Sequence, residues 1–284
     1  MRATRQWILG AFGLAVGLVV LGVIGLVVLP RSRAILDARH PAAPSAVHAV
    51  SSPQAVARGA HLVVVLDCIA CHGKSLAGGL MSLSSSAIYA PNLTLVSKTR
   101  SDAELDRAVR QGLRPDGRSE LAMPSQVYAG LTDDEVAAII AYLRSLPPKG
   151  ANLAQPAPGL MLRVNLATGA LKTEAARIAE AKPPIEAGPR FEGGRHLAAT
   201  ACGQCHGTDL RGGSGSPGPD LTVQGYYDRA QFHTLMRTGV GVSENLELMS
   251  ETASTSFSHF TDAEIDAIYD YLVARDRLLS VRRP

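Results

Sequence analysis

The chain has 284 residues, 46% apolar and 19% charged, which excludes a disordered chain and leaves room for one large domain or two small ones. Aromatics make up 5%, thin for two cores built from protein alone. The net charge of +3 is unevenly spread: residues 1–52 carry +4, 53–148 are neutral, 149–190 carry +3 and 191–284 carry −4. The basic excess therefore sits beside an apolar segment and in a linker, which argues against a nucleic-acid partner.

The first element runs from Trp7 to Leu29, 23 residues without a charge. At 1.5 Å per residue this is about 34 Å of helix, enough to cross a bilayer. A cleaved signal peptide has a shorter apolar run, about 7–15 residues, and ends at a small-x-small site. Here the run ends in Leu29-Pro30-Arg31-Ser32-Arg33, so residues 1–30 are predicted to be an uncleaved transmembrane anchor. Arg2 and Arg5 on one side balance Arg31 and Arg33 on the other, and charge leaves the orientation open. Residues 31–52, rich in Ala, Pro and Ser, are expected to form a linker rising from the membrane.

Beyond the linker the sequence repeats itself. Cys68-Ile69-Ala70-Cys71-His72 returns 134 residues later as Cys202-Gly203-Gln204-Cys205-His206, with Gly59 and Gly193 each nine residues ahead. Pro91-Asn92-Leu93-Thr94 returns as Pro219-Asp220-Leu221-Thr222, and Tyr142-Leu143 as Tyr271-Leu272. The order predicts two copies of one domain, 53–148 and 188–284, joined by a linker over 149–187 with a short helix near Thr173–Ala181. Ser101-x-x-Glu104, Thr132-x-x-Glu135 and Thr261-x-x-Glu264 read as capping boxes. Val136, Ile139, Ile140 and Leu143, and then Ile265, Ile268, Tyr269 and Leu272, fall at helical spacing. No convincing alternating strand is evident, and the fold class expected is all-α.

The chemistry lies in the two Cys-x-x-Cys-His motifs, which hold all four cysteines. The spacing puts two thiols one helical turn apart, able to add across the two vinyl groups of a haem, and the adjacent imidazole then reaches the iron. A four-Cys zinc site pairs its halves at shorter separation, and a redox dithiol needs a βαβ setting. Two covalently bound haem c groups are therefore expected, on Cys68 and Cys71 and on Cys202 and Cys205, with His72 and His206 as iron ligands. Met123, in a loop before Pro124, is the expected sixth ligand of the first iron, with Met81 its rival. Met249 holds the matching place in the second repeat, with His259 and His233 as alternatives and Met236 a core residue. Pro91 and Pro219 are placed to present the carbonyls that orient the two imidazoles.

At these residues each half resembles class I cytochromes c. Asp67 to His72, Tyr89 to Thr94, and Arg110 through Asp116-Gly117-Arg118 to Ala122-Met123-Pro124 are similar to cytochrome c subunits of membrane-bound alcohol and gluconate dehydrogenases. Those subunits usually carry three haems, and this chain has two motifs. The resemblance implies two tandem class I cytochrome c domains and one-electron transfer in a respiratory chain. It also implies haem domains in the periplasm, with the anchor crossing a bacterial inner membrane once. The expected role is electron transfer rather than catalysis, as a free carrier or as the electron-accepting subunit of a dehydrogenase. The partner would be a dehydrogenase, an oxidase or a small cytochrome. The alternative is a dihaem redox enzyme, of peroxidase or thiosulfate-oxidising type, whose second iron can open.

Overall fold

A computed structural model describes residues 2–212, 218–223, 226–242 and 246–281, and the chain in it is mostly helical. Helix α1 (Arg2–Val23) passes through a π turn (Ile24–Val28) into α2 (Leu29–Asp37), so the helix continues beyond Pro30, where the anchor was expected to end. Proline has no N–H and its ring crowds the carbonyl four residues back. The π turn removes the conflict, because the Leu29 N–H bonds the Ile24 carbonyl, five residues back. Phe12, Leu14, Leu18 and Leu26 on this helix are exposed, and Ala11–Asp37 is long and apolar enough to cross a membrane.

Residues 38–52, read from sequence as part of a tether, lie bonded along the first repeat. The His40 N–H donates to the Gly117 carbonyl (2.9 Å), the Ala43 N–H to Gln111 Oε1 (2.8 Å) and the Ala49 N–H to Asp102 Oδ2 (2.7 Å). The chain then enters α3 (Pro53–Val65), capped by the Ser52 hydroxyl, and α4 (Cys68–His72).

Next comes a hairpin that the all-α expectation missed: β1 (Gly79–Leu83) and β2 (Ser86–Ala90), antiparallel with Gly79 opposite Ala90. Ser84 and Ser85 turn it with φ of 48° and 59°. Such turns normally announce themselves by Asn-Gly or Asp-Gly, and a Ser-Ser pair gives no signal.

Helices α5 (Leu93–Thr99) and α6 (Asp102–Asp106), a π turn (Arg107–Gln111), α7 (Ser125–Tyr128) and α8 (Asp133–Ser145) complete the first repeat. The 149–187 segment holds α9 (Leu160–Thr168), which was not foreseen, and α10 (Glu174–Glu180), close to the helix expected there. The second repeat consists of α11 (Glu192–Leu197), a π turn (Ala198–Cys202), α12 (Gly203–His206), α13 (Arg229–Thr238), α14 (Leu248–Thr255) and α15 (Asp262–Val281). All three capping boxes form.

In each repeat the first helix crosses the last at a glycine. A Cβ on Gly59 would collide with the Ala138 carbonyl and Tyr142 Cβ; a Cβ on Gly194 would collide with the Ala267 carbonyl and Tyr271 Cβ. The second crossing glycine is therefore Gly194, not Gly193, which faces open space. The shift has a local cause. In the first repeat Leu66 and Asp67 break the chain between α3 and α4, whereas α11 runs through its π turn directly into α12. One apolar core, containing Val65, Ile140, Met236 and Tyr271, runs through both repeats.

Candidate haem sites

Asp67, in left-handed conformation (φ 58°), ends α3 and restarts the chain as α4, which sets Cys68 and Cys71 one turn apart. His72 is buried, and its Nδ1 donates to the Pro91 carbonyl at 2.9 Å. Burial lowers the pKa of this imidazole and keeps it neutral, leaving the Nε2 lone pair for a metal. The second imidazole is held in the same way. His206 Nδ1 donates to the Pro219 carbonyl at 2.8 Å, and burial again lowers the imidazole pKa.

The loop presenting each carbonyl is held by different residues. In the first repeat Asn92 caps α5, accepting the Thr94 N–H (3.0 Å), and its amide donates to the Lys149 carbonyl (2.6 Å). In the second, the fully buried Arg275 donates to the carbonyls of Leu210 (2.7 Å) and Leu221 (3.0 Å) and pairs with Asp220 at 2.7 Å. Sequence reasoning missed Arg275, yet a signal existed: it lies on the apolar stripe Ile268–Leu272–Arg275–Leu279 of α15. Gly218 is needed beside it, since a Cβ there would lie 2.8 Å from His206 Nδ1.

A cavity of about 1280 Å³ adjoins the first motif, lined by Cys68, Cys71, His72, Met123 and Ile139 among others, and by Met81. Met123 and its rival thus both face the space beside His72. The Met123 loop is pinned: the Ser125 N–H donates to the Met123 carbonyl (2.8 Å), and the buried Ser125 hydroxyl to Ala108 (2.9 Å). Met249 stands in the first turn of α14 rather than in a loop, partly buried against the core. Met236 is buried in the core, His233 is bonded to Asp266 (3.0 Å), and His259 is exposed.

The thiols argue against a redox dithiol, because burial pushes Cys68 and Cys202 up to about 12 where such chemistry needs a lowered pKa. Among the described residues no three His, Cys, Asp or Glu side chains gather as a zinc site requires. A hydrogen-bonded imidazole beside paired thiols, at the wall of a large apolar cavity, fits haem.

The two motifs also adjoin. A Cβ on Gly203 would sit 3.2 Å from Val127 of the first repeat, and Gln204 lines the first cavity. Ser256 Oγ donates to Asp67 Oδ1 at 2.6 Å. Tyr128, buried between them, donates to the Leu66 carbonyl at 2.7 Å.

Paired cysteines followed by an oriented imidazole, found twice in a mostly helical chain, are the arrangement that attaches haem c. Residues 56–147 match the cytochrome c family, and residues 189–272 match the family of subunit III of cbb3-type cytochrome c oxidase, so the chain carries two cytochrome c domains and two covalently bound haem c groups. It is similar to the fructose dehydrogenase cytochrome subunit of Gluconobacter japonicus, at 29% identity over 76% of this chain and 52% of that one. The cytochrome c subunit of alcohol dehydrogenase (quinone) from Komagataeibacter europaeus is 27% identical over 76% of this chain and 55% of its own. The gluconate 2-dehydrogenase cytochrome c subunit of Pantoea cypripedii is 32% identical over 53% and 37%. The chain thus spans about half the length of the first two relatives.

Proposed function

We propose that this chain is the membrane-anchored, electron-accepting subunit of a dehydrogenase, passing single electrons through its two haems toward a respiratory chain on the periplasmic side of a bacterial inner membrane. The units of this reading are the anchor (1–30) and the haem domains (53–148 and 188–284). His72 and Met123 ligate one iron, His206 and Met249 the other, with the Pro91 and Pro219 carbonyls holding the imidazoles. Bound haem c supplies a one-electron couple, and thioether ligation raises its potential.

The observation that carries the reading is the closeness of the second motif to the first haem site. Gly203 faces Val127, Gln204 lines the first cavity, and Ser256 bonds Asp67 beside Cys68. That arrangement suits transfer between haems, and a pair of closed six-coordinate irons suits transfer over catalysis. The first cavity also reaches Leu29, Pro30 and Arg33 at the end of the apolar helix. Together with relatives whose names include a quinone-linked dehydrogenase, this favours a small lipid-soluble quinone as acceptor at the first haem.

The test uses the full chain, matured with haem and purified in mild detergent. Two haems per chain, with a red charge-transfer band of Met-ligated ferric haem accounting for both, support the reading. A high-spin ferric haem overturns the closed ligation and brings the dihaem enzyme forward. Co-purification with a dehydrogenase chain distinguishes a subunit from a free carrier.

A further inference from the structure

Between Lys149 and Lys172 the chain runs for 22 residues with a single charge, that of Arg163. Segments bathed by water on all sides rarely read so. Residues 151–157 are exposed throughout, and Leu153, Leu160 and Met161 leave 62%, 51% and 54% of their surface uncovered. The one charge is occupied: Arg163 donates through Nε to the Pro158 carbonyl (3.1 Å) and through Nη1 to Ser32 Oγ (3.4 Å). Thr168 likewise turns its hydroxyl onto the Val164 carbonyl at 2.9 Å.

The position of this segment gives the composition its meaning. Helix α9 packs beside the Ile24–Val28 turn and α2, and Val28 is buried where they meet. It therefore lies alongside the end of the uncharged run, where Leu26, Val27 and Leu29 are themselves exposed and Arg31 and Arg33 follow. Its inner face, Leu162 and Leu166, closes a small core with Leu121, Ile35 and Leu36. Its outer face has no protein partner among the described residues. The same helix is thus fixed to the first haem domain on one side and to the membrane-crossing helix on another.

We infer that residues 150–171 form a second membrane-contacting element, in which α9 lies at the bilayer interface beside the anchor and seats Leu160 and Met161 among lipid chains near the headgroups. Arg31 and Arg33 then stand at headgroup level, where cations meet lipid phosphate. A single span lets a domain swing freely; a span with an adjoining interfacial helix fixes which face meets the membrane. The end of the first haem cavity lined by Leu29, Leu162 and Arg163 is held close to the lipid surface as a result. This inference rests on the anchor crossing a membrane.

The experiment places one spin label at a time on the full holoprotein in phospholipid nanodiscs. The four native cysteines are consumed by haem, so an introduced cysteine is the sole reactive thiol. Each accessibility is read as the change that oxygen or the nickel complex makes in the same oxidised sample, so the fixed relaxation by ferric haem cancels. Labels go on Met161→Cys, on Val20→Cys within the span, and on Ser254→Cys on the exposed surface of the second repeat. The expected result is an oxygen-to-nickel-complex accessibility several-fold higher at position 161 than at 254, and lower than at 20. Equal accessibility at 161 and 254, with 20 in lipid, overturns the inference and leaves the anchor standing. Water-like behaviour at position 20 overturns the anchor, and the inference with it.

Discussion

His61 Nε2 lies 2.9 Å from Glu264 Oε1, joining the first helix of one repeat to the capping glutamate of the last helix of the other. The relationship is reciprocal, because His196 Nε2 lies 2.9 Å from Glu135 Oε1. Each glutamate also accepts its own cap amide, from Thr261 and Thr132. The crossing glycines, Gly59 and Gly194, stand two residues before these histidines. The repeats are thus clasped like the halves of a symmetric dimer fused into one chain.

These clasps predict a pH window for the contact between repeats. The hydrogen bond that His61 donates to Glu264 raises the imidazole above its usual 6.5, so its contribution is complete below 6.5 and is lost as pH rises through the folded value. Burial alone would raise Glu135 and Glu264, but the bonds from His and the cap outweigh it. Glu135 falls from 4.5 to about 2, and Glu264 is lowered too. Their contribution is present above 4.5 and is lost as pH falls through the folded values. For the His61–Glu264 pair both partners contribute between 4.5 and 6.5. Denaturation midpoints of wild type minus Glu264→Gln, followed against pH, should differ most in that window, by about 1 kcal/mol. The Glu135→Gln difference should shrink as pH falls from 4.5 toward about 2.

The crossing glycines predict opposite outcomes at neighbouring positions. Gly194→Ala should destabilise the second repeat by about 1–3 kcal/mol, because the new methyl meets the Ala267 carbonyl. Gly193→Ala, in open space on the same helix, should stabilise by up to about 1 kcal/mol. Chemical denaturation of the two variants side by side gives the comparison.

Arg275→Leu should cost about 3–5 kcal/mol, since it leaves Asp220 and Asp276 without the cation that both approach. Its effect should also reach the haem. The Leu210 and Leu221 carbonyls lose their donor, the Pro219 turn loosens, and the ferric spectrum of one haem should broaden while the other keeps its line shape. Magnetic resonance of the holoprotein at low temperature separates the two haems.

Met123→Ala should remove about half of the red charge-transfer intensity and lower one of two midpoint potentials, because an iron losing its thioether loses the ligand that favours the ferrous form. Met81→Ala should leave both unchanged. The reverse pattern would transfer the ligand role to the hairpin. Spectroelectrochemical titration reads both quantities from the same sample.

The haem motifs, the repeat, the capping boxes and the apolar run could be read directly, because each is set by local spacing: two thiols one turn apart, a hydroxyl three residues before a carboxylate, an uncharged stretch of fixed length. His72 to Pro91 and His206 to Pro219 were also foreseeable as pairs, since a turn after the motif is the natural source of a carbonyl. The hairpin at 79–90 was not legible, because a Ser-Ser turn carries no signal and its five-residue strands show no clean alternation of apolar and polar residues.

Tertiary structure alone decided which residues meet across long separations. Nothing near His61 announces Glu264, 203 positions away, and nothing near Ser256 announces Asp67. It also decided that residues 38–52 lie along the first repeat, that Gly194 rather than Gly193 makes the crossing, and that α9 stands beside the end of the apolar helix. Local sequence fixes what a segment can be, because backbone and capping preferences act over a few residues. Which surfaces close on one another is set by shape and charge presented after folding, and those are properties of the assembled chain.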